Sequence, residues 1–448
     1  MSRAADAALA ARLVETALAA GAEAADVLLG RETALSIGVA GGALEEAERA
    51  ESVDLGLRVL IGARQACVAA SDTADGTLAE MAERAVAIAR EAPEDPHCGL
   101  AAPEQLARIP DADALELADP GPAPAPAALE AMARAAEAAG LGVAGVTQIE
   151  QARASWGREQ VTLAASNGFA HAIARSYWAV SASAIAGEGL GRERDFAAEL
   201  RRHGADMPAP ETVGRRAGAR AVAALGARRC PAGAFPVIFD ERVAGSLVGH
   251  VAGAINGQAV ARGASWLRDR LGERVLPRGI DLCERPHRRR GRASRLVDAE
   301  GLATADRALI ADGVLESWVL DLATARQLGL ESTGNARRGA GGPPRPGLGN
   351  LELAQGDRSR DALLAEMGTG LLVTGLIGSS INPTTGDYSR GANGFWVENG
   401  EIVHAVNEIT IAGRLPEIVA SMVPADDADP EKAVVVPSLL VEGLTIGA

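Results

Sequence analysis

Histidines are the residues of this chain best suited to hold a metal ion or to move a proton near neutral pH. His250 is followed by Val251 and Ala252, so it lacks the glutamate and the second histidine that a zinc peptidase carries on one helical face. His404 and Glu408 lie four residues apart, but they fall in a predicted strand with no further ligand near them. We interpret His404 and Glu408 as structural. The sequence predicts no catalytic residue and no metal ligand in this chain.

The sequence also lacks the motifs of a serine hydrolase and of a phosphate-binding loop. The chain contains no G-x-S-x-G, so a serine hydrolase with a strained nucleophile turn is not predicted. Two long glycine-rich loops cover residues 337–350 and 378–394; the first lacks the Gly-Lys-Ser/Thr ending of a phosphate loop, and the second does not open a helix. These loops either line a binding surface or simply connect strands.

The stretch that positions His250, residues 241–258, is predicted to be one helix. Two stripes recur at every fourth residue, one apolar and one of glycine: Val243, Leu247, Val251 and Ile255, and Gly245, Gly249, Gly253 and Gly257. A glycine inside a helix costs about 0.5 to 1 kcal/mol relative to alanine, so we predict that another backbone packs closely on the glycine face. That face is expected to be buried, with His250 beside it as a buried, hydrogen-bonding residue.

Composition excludes several classes of protein. The net charge of -15 opposes nucleic-acid binding, and the arginine-rich segment 285–295 has no aromatic residue to stack on a base, so we interpret it as a solvated loop. The sequence contains no run of 18 apolar residues, and its alanine-rich N-terminal segment lacks a continuous apolar stretch and a clear cleavage site. We therefore expect a cytoplasmic protein with no membrane contact. Four scattered cysteines form no CxxC pair and predict neither a disulfide framework nor a structural zinc site.

The predicted fold class is α+β, with N-terminal α/β sandwich-like regions followed by a β-rich C-terminal domain that contains a large antiparallel sheet. Residues 1–115 are predicted to form an α+β domain, 127–229 a helix followed by a strand meander, and 230–448 the β-rich domain. A proline-rich stretch separates the first two. Hairpin turns are predicted at residues 167–168, 312–313 and 399–400, where Asn-Gly or Asp-Gly separates apolar runs.

Three segments resemble the TldD/PmbA family, and specifically its PmbA (TldE) branch: GHVAGAINGQAVARGASWLRDRLGERV, ESTGNARRGAGGPPRPGLGNLEL and GLIGSSINPTTGDYSRGANGFWVENGEIVHAVNEITIAG. The N-terminal run DLGLRVLIGARQACVAASD also resembles this family, so the likeness covers essentially the whole chain. The resemblance implies a cytoplasmic TldD-TldE complex that acts as a metalloprotease on unfolded peptides, including peptide-antibiotic precursors and an antitoxin. The branch is also named for modulation of DNA gyrase.

The resemblance further implies that the catalytic branch carries H-E-x-x-x-H in the helix that corresponds to residues 241–258, with a cysteine ligand near its C-terminus. Here Val251 stands in the place of the glutamate, Ile255 in that of the second histidine, and the tail PSLLVEGLTIGA has no cysteine. A single histidine cannot hold a catalytic ion, because metal ligation needs several donors at once. We therefore expect no cofactor in this chain, and zinc or iron in a TldD-like partner.

The leading hypothesis from the sequence is a non-catalytic TldE-like subunit that pairs with a TldD-like metalloprotease and forms one wall of a channel for extended peptides. The alternatives are an independent hydrolase with a site around Asn382, Asp387 and Tyr388, or a scaffold that adds peptides to a sheet edge. A homodimer is possible for the isolated chain. The residues predicted to face the channel or the partner are His250, Asn335, Asn350, Asn382, Asp387 and Tyr388.

Overall fold

The N-terminal half of the chain forms four helices packed on one sheet, as seen in a computed structural model that describes residues 3–109, 111 and 113–447. The outer limits of the predicted domains, residues 1 and 448, lie outside the described residues. The elements are α1 (Arg3–Ala19), β1 (Ala24–Ala40), β2 (Ala43–Ile61), β3 (Arg64–Ala70), α2 (Asp75–Glu91), α3 (Pro126–Leu141), β4 (Val146–Ala165), β5 (Ala170–Ala186), β6 (Glu193–Arg201) and α4 (Pro210–Ala223). Short 3-10 turns cover Pro103–Gln105, Gly189–Gly191 and Gly204–Asp206.

This N-terminal sheet has the strand order β3-β2-β1-β4-β5-β6. The central strand β1 pairs with β2 on one side and with β4 on the other, both antiparallel. Strands from residues 1–115 and from residues 127–229 therefore share one sheet, and the division of the N-terminal half into two domains stays a prediction. The predicted Asn167-Gly168 hairpin joins β4 to β5.

The two faces of this sheet differ because successive strand residues point to opposite sides. On one face, Val27 and Leu29 pack in a core with α1 and α2, while Leu35 and Ile37 pack in a core with α3 and α4. The alternate residues, among them Leu28, lie on the other face, which meets the C-terminal half of the chain. The sheet is thus covered by helices on one side and by the C-terminal region on the other.

The C-terminal half is rich in strands. Its elements are β7 (Gly233–Phe239), α5 (Glu241–Ala254), α6 (Gly257–Ala261), β8 (Leu282–Glu284), β9 (Arg307–Ala311), β10 (Val314–Leu315), α7 (Leu322–Leu328), β11 (Ala336–Arg337), β12 (Arg345–Pro346), β13 (Leu351–Leu353), α8 (Arg360–Met367), β14 (Gly370–Ile381), β15 (Asp387–Glu398), β16 (Glu401–Arg414), α9 (Leu415–Ala420), β17 (Val423–Pro424), β18 (Val434–Val435) and β19 (Leu439–Gly447). Among the described helices of the chain, none is long and apolar enough to cross a membrane.

The main C-terminal sheet has the order β16-β15-β14-β7-β19-β17, and an additional pairing of β16 with β19 closes it on itself. Only the β7–β14 pair is parallel; the other pairs in this sheet are antiparallel. A smaller sheet, β10-β9-β8-β13-β18, packs beside it. The predicted α+β class with a large antiparallel sheet is confirmed, and the predicted hairpins at Asp312-Gly313 and Asn399-Gly400 join β9 to β10 and β15 to β16.

The two halves are joined by buried charges. Asp26 of β1 accepts hydrogen bonds from Arg58 of β2 and from Arg338 of the C-terminal half, whose side chain is 1% exposed. Next to this contact, a Cβ added to Gly56 would lie 2.3 Å from the backbone oxygen of Ala340. The C-terminal loop therefore rests directly on the backbone of β2, in space that only glycine leaves free.

The arginine-rich segment 285–295 is part of the same junction, so its interpretation as a solvated loop is wrong. Glu116 accepts hydrogen bonds from both Arg289 and Arg290. Arg295 is buried and donates to the backbone oxygen of Gly347 at 2.7 Å. The cations are used inside the protein because acidic and carbonyl groups from distant parts of the chain reach them, which the local sequence does not reveal.

Candidate functional site

The helix that carries His250 is positioned at its start by an acidic cap. Asp240 follows the buried strand β7, and its side chain accepts a hydrogen bond from the backbone nitrogen of Arg242 at 3.1 Å. Arg360 donates to the same carboxylate at 2.9 Å. The cap fixes the start of α5 against the main C-terminal sheet. The helix buries residues that recur every three or four positions: Ala244, Leu247, Val248, Val251 and Ala254.

The glycine face of α5 is open, which corrects the sequence-based expectation of a buried face. Gly249 and Gly253 are exposed, and a Cβ built on either would have no heavy atom within 4 Å. Gly245 would meet only Val434, at 3.6 Å. The helix also ends at Ala254, so Gly257 begins the separate helix α6. The predicted close packing of a glycine against another backbone occurs only there, where an added Cβ would lie 2.9 Å from a backbone oxygen.

His250 lies against Tyr388 of β15. The ring centroids are 5.8 Å apart and the planes are inclined by 74°, an edge-to-face arrangement. The imidazole Nε2 and the phenol oxygen are buried and have no hydrogen-bond partner among the described residues, so the hydrogen bonding expected of His250 is not seen at Nε2. Burial, with Arg390 nearby, lowers the pKa of His250, and burial raises the pKa of Tyr388 to about 12. Both rings are therefore uncharged at neutral pH.

Asn382 and Asp387 lie at the turn between β14 and β15, next to Tyr388. The Asn382 side chain accepts a hydrogen bond from the backbone nitrogen of Thr384 at 3.0 Å, and Asp387 accepts one from the Thr385 hydroxyl at 2.6 Å. Both Asn382 and Asp387 are exposed. Four of the six residues predicted to face the channel or the partner thus lie in one region of the protein: His250, Asn382, Asp387 and Tyr388. Tyr388 itself is buried, with 2% of its surface exposed.

Asn335 and Asn350 lie elsewhere, in the interior. Asn335 is 1% exposed and donates to the Glu284 carboxylate at 2.8 Å. Asn350 is fully buried, donates to the Ser294 hydroxyl at 2.7 Å and accepts from the backbone nitrogen of Ala293 at 2.9 Å. These amides hold loops in place, and the structure does not bring them to the open surface beside α5.

A cleft that the sequence did not predict opens beside the exposed face of α5. It consists of two adjoining cavities of about 360 and 850 Å³ between β6 and α4 on one side and α5, β14 and β15 on the other. The residues that line both cavities are Arg194, Asp195, Glu241, Arg242, Thr374 and Asn393. No local spacing could have signalled this cleft, because its walls come from segments far apart in the chain.

Charged and polar side chains fix the walls of the cleft. Arg242 of α5 donates to Asp195 of β6 at 2.6 Å, and Lys432 pairs with Glu241. The Ser246 hydroxyl and the Asn393 side-chain oxygen are buried at the cleft without a hydrogen-bond partner among the described residues. Such unpaired groups are costly to bury unless something bonds to them, so the cleft offers hydrogen-bonding positions to an incoming chain.

The donors near His250 do not suit a catalytic metal. Val251, which follows it, is buried in the apolar core, and so is Ile255. Within residues 3–109, 111 and 113–447, no group of three or more His, Cys, Asp or Glu side chains is placed to hold an ion. A lone imidazole between apolar neighbours lacks the three or four ligands that zinc or iron takes from proteins. The side chains around His250 therefore do not fit a catalytic ion.

Comparison with known proteins places these features in a family. Three family models match in chain order: the PmbA/TldA metallopeptidase domain 1 over residues 25–89, the central domain over 115–225 and the C-terminal domain over 232–448. The metalloprotease PmbA of Escherichia coli O157:H7 is 36% identical over 394 residues, which cover 88% of this chain and 85% of that protein. A PmbA homologue of Haemophilus influenzae is 33% identical over 97% of this chain and 94% of its own.

Solved structures agree in fold. The crystal structure of a proposed modulator of DNA gyrase from Bacteroides thetaiotaomicron superposes with a TM-score of 0.90 at 25% identity, covering 98% of both chains. TldE from Thermococcus kodakarensis has a TM-score of 0.85 at 20% identity over 98% of this chain and 100% of its own, a likeness of fold. With matches along nearly its whole length, the chain belongs to the PmbA/TldD family of metalloproteases.

Proposed function

We propose that this chain is the non-catalytic, TldE-like subunit of a cytoplasmic, heteromeric metalloprotease, and that its cleft forms one wall of a channel for extended or unfolded peptides. The observation that carries the proposal is the face of α5 beside His250. It is open to the outside, yet it presents the glycines Gly249 and Gly253 instead of metal-binding side chains.

The exposed glycines support a contact with something outside this chain. A glycine in a helix interior is about 1 kcal/mol less favourable than alanine, and a Cβ added to Gly249 or Gly253 would have no heavy atom of the described residues within 4 Å. A bare helix surface allows a peptide or a partner subunit to approach the backbone closely. The unpaired polar atoms of Ser246 and Asn393 would bond the amide groups of such a chain.

The metal and the catalytic residues would then be supplied by a TldD-like partner holding zinc or iron. The name of one relative, metalloprotease PmbA, supports a role in proteolysis, and the buried apolar Val251 and Ile255 in the helix region of His250 support a metal held by another subunit. In isolation the surface meant for a homologous partner is free to pair with a second copy of this chain, which makes a homodimer the alternative assembly.

The first test compares the purified chain, a TldD-like partner and their mixture by metal analysis, size-exclusion chromatography and cleavage of an unfolded peptide. We expect this chain alone to hold no stoichiometric zinc or iron and to cleave nothing, and the mixture to form a complex and cleave. Proteolysis by the isolated chain that is lost on chelation would contradict the proposal.

A second test examines the glycine face itself. Gly249→Gln places a side chain in open space about one helical turn along α5 from Gly245 of the cleft wall, and it is expected to reduce cleavage by the mixture about tenfold or more. Gly76→Gln is the matched control, because Gly76 is also an exposed helical glycine with no heavy atom near its Cβ position. Loss of the complex would assign the face to the partner, and loss of cleavage with the complex intact would assign it to the peptide. Unchanged assembly and cleavage would rule out both roles.

A peptide-binding scaffold is the second candidate, favoured by the edge strand β6. Among the described strands, β6 pairs only with β5, and its residues Glu193 to Phe196 line the cleft. An open strand edge can add an extended peptide through backbone hydrogen bonds. Binding of a labelled unfolded peptide by the isolated chain, measured by fluorescence anisotropy, would favour the scaffold; binding only in the mixture would favour the subunit.

A further inference from the structure

A second cavity, of about 620 Å³, lies between the N-terminal sheet and the C-terminal segments 295–299 and 336–341. Its lining shares no residue with the cleft beside α5. Part of the wall is apolar and comes from the face of the sheet opposite the helices, with Leu28, Val161, Leu163 and Ile173 as members. The size is that of a small-molecule site.

Four arginines line this cavity, and three of them have N–H groups without an acceptor among the described residues. The unpaired and buried atoms are Nε of Arg175, Nε and Nη1 of Arg295, and Nη2 of Arg338. The Arg295 side chain is only 7% exposed, and its remaining nitrogen, Nη2, donates to the Gly347 oxygen. Guanidinium groups are rarely buried unless an acceptor or an anion meets them.

Three acidic residues, Asp54, Glu159 and Asp298, line the cavity, and none of them accepts a hydrogen bond from these atoms. Asp298 accepts hydrogen bonds from the backbone nitrogens of Glu300, Leu302 and Ala336, which occupy its oxygens. Glu159 lies 3.9 Å from Nη1 of Arg175, beyond hydrogen-bond distance.

Arg295 also experiences the low polarity of its surroundings. Burial lowers the pKa of its guanidinium; Glu284 and Asp298 oppose this shift, and Arg175 adds to it. Glu284 lies 3.7 Å from Nη2 of Arg295, and Nε and Nη1 have no hydrogen-bond partner among the described residues. An added negative charge would therefore be stabilised by Arg175 and Arg295 together.

We propose that this cavity binds a small organic anion, with a carboxylate or phosphate group held by Arg175, Arg295 and Arg338 and an apolar part against Leu28 and Ile173. Guanidinium groups bond such planar or tetrahedral oxyanions through paired N–H donors. The ligand would bridge the N-terminal sheet and the C-terminal region, because Arg175 belongs to β5 and Arg295 to the C-terminal half.

The test is isothermal titration calorimetry of the full chain with citrate and with inorganic phosphate, at ionic strength matched with sodium chloride. Tighter binding of citrate would indicate a carboxylate ligand, and tighter binding of phosphate a phosphoryl ligand. We expect R175Q and R295Q each to weaken binding about tenfold. R278Q, which changes an exposed arginine outside the cavity, should leave the affinity within about twofold.

R175Q keeps the test decisive if the buried Arg295 proves necessary for folding, because the Arg175 side chain is 27% exposed and its loss leaves no buried partner unpaired. Circular dichroism and thermal unfolding would verify that each variant is folded. Absence of binding for both anions at millimolar concentration, or equal affinities for R175Q and R278Q, would overturn the proposal.

Discussion

The imidazole of His250 meets the ring of Tyr388 edge to face, with centroids 5.8 Å apart. Both polar ends, Nε2 and the phenol oxygen, are buried without a hydrogen-bond partner among the described residues, and both rings are held neutral by burial. A proton-transferring pair would need a hydrogen bond that neither atom makes here. The contact instead packs the start of β15 onto α5, so changes to the Tyr388 side chain should alter the stability of the protein.

Replacing Tyr388 by phenylalanine should leave the protein as stable as before or more stable. The change removes a buried hydroxyl without a partner and keeps the ring, so the free energy of unfolding is expected to rise by up to about 1 kcal/mol. Tyr388→Ala removes the ring as well and should cost about 3 to 5 kcal/mol through the cavity it leaves. Urea denaturation measures both. A loss of more than about 1 kcal/mol in Tyr388→Phe would mean that the hydroxyl has a bonded partner, such as an ordered water.

The buried carboxyl group of Glu300 should make the protein less stable as the pH rises. Burial, with Asp298 and Asp321 nearby, raises its pKa to about 8. A carboxyl group whose folded pKa is raised contributes stability fully below its unfolded pKa and loses it as pH rises through the folded value. The free energy of unfolding should therefore fall as the pH increases from about 4.5 to about 8, and this contribution should level off above the folded pKa.

Glu300→Gln tests this directly, because the amide cannot ionise. The variant is expected to be more stable than the original chain at pH 9 by at least about 1 kcal/mol, and to show a flatter pH profile in urea denaturation. Glu80→Gln, on the exposed side of α2, should reproduce the original profile. Parallel profiles for Glu300→Gln and the original chain would show that this carboxyl does not titrate in the expected range.

Gly56 should not tolerate even a methyl group. An alanine Cβ would lie 2.3 Å from the backbone oxygen of Ala340, so the loop must move, at a cost of about 1 to 3 kcal/mol. Gly76→Ala is the matched control and should stabilise the protein by about 0.5 to 1 kcal/mol, since its helical position is open. Thermal or urea unfolding of the two variants should shift in opposite directions; an equal shift would contradict the close packing at Gly56.

The buried contact between Asp26 and its two arginines should show strong coupling. Asp26→Ala leaves Arg58 and Arg338 buried without their shared acceptor and is expected to cost about 3 to 5 kcal/mol. Combining it with Arg338→Met should recover part of the loss, so the two changes should not be additive in a double-mutant cycle. The exposed pair Arg12–Asp75, treated in the same way, should couple by less than about 1 kcal/mol. Simple additivity at Asp26 and Arg338 would refute the buried contact.

Much of the fold followed from local patterns. The turns predicted at residues 167–168, 312–313 and 399–400 each join two antiparallel strands, because the positive backbone angles that such turns need are set by the local residues. The pairing of β1 with β4 and the closure of β16 onto β19 were not predicted, since both join segments far apart in sequence.

The candidate site, like the fold, was predicted only in part from the sequence. The spacing around His250 was enough to predict a helix without a metal motif, yet it gave the wrong environment for the glycines. Periodicity identifies which residues share a face, but what lies opposite that face depends on the rest of the chain. The cleft is an example, since Asp195 and Arg242 meet across 47 positions. Likewise, Arg295 looked like part of a solvated loop because its neighbours in sequence are charged.

The shared N-terminal sheet limits which fragments of this protein can be produced in folded form. A fragment of residues 127–229 would expose the side of β4 that pairs with β1 over Ala152–Ala165, a long strand edge. Such edges join to one another in solution, and the fragment should therefore aggregate. Residues 3–223 form the smallest N-terminal piece in which β1, β4 and their covering helices remain together, and expression trials of truncated forms should begin from that piece.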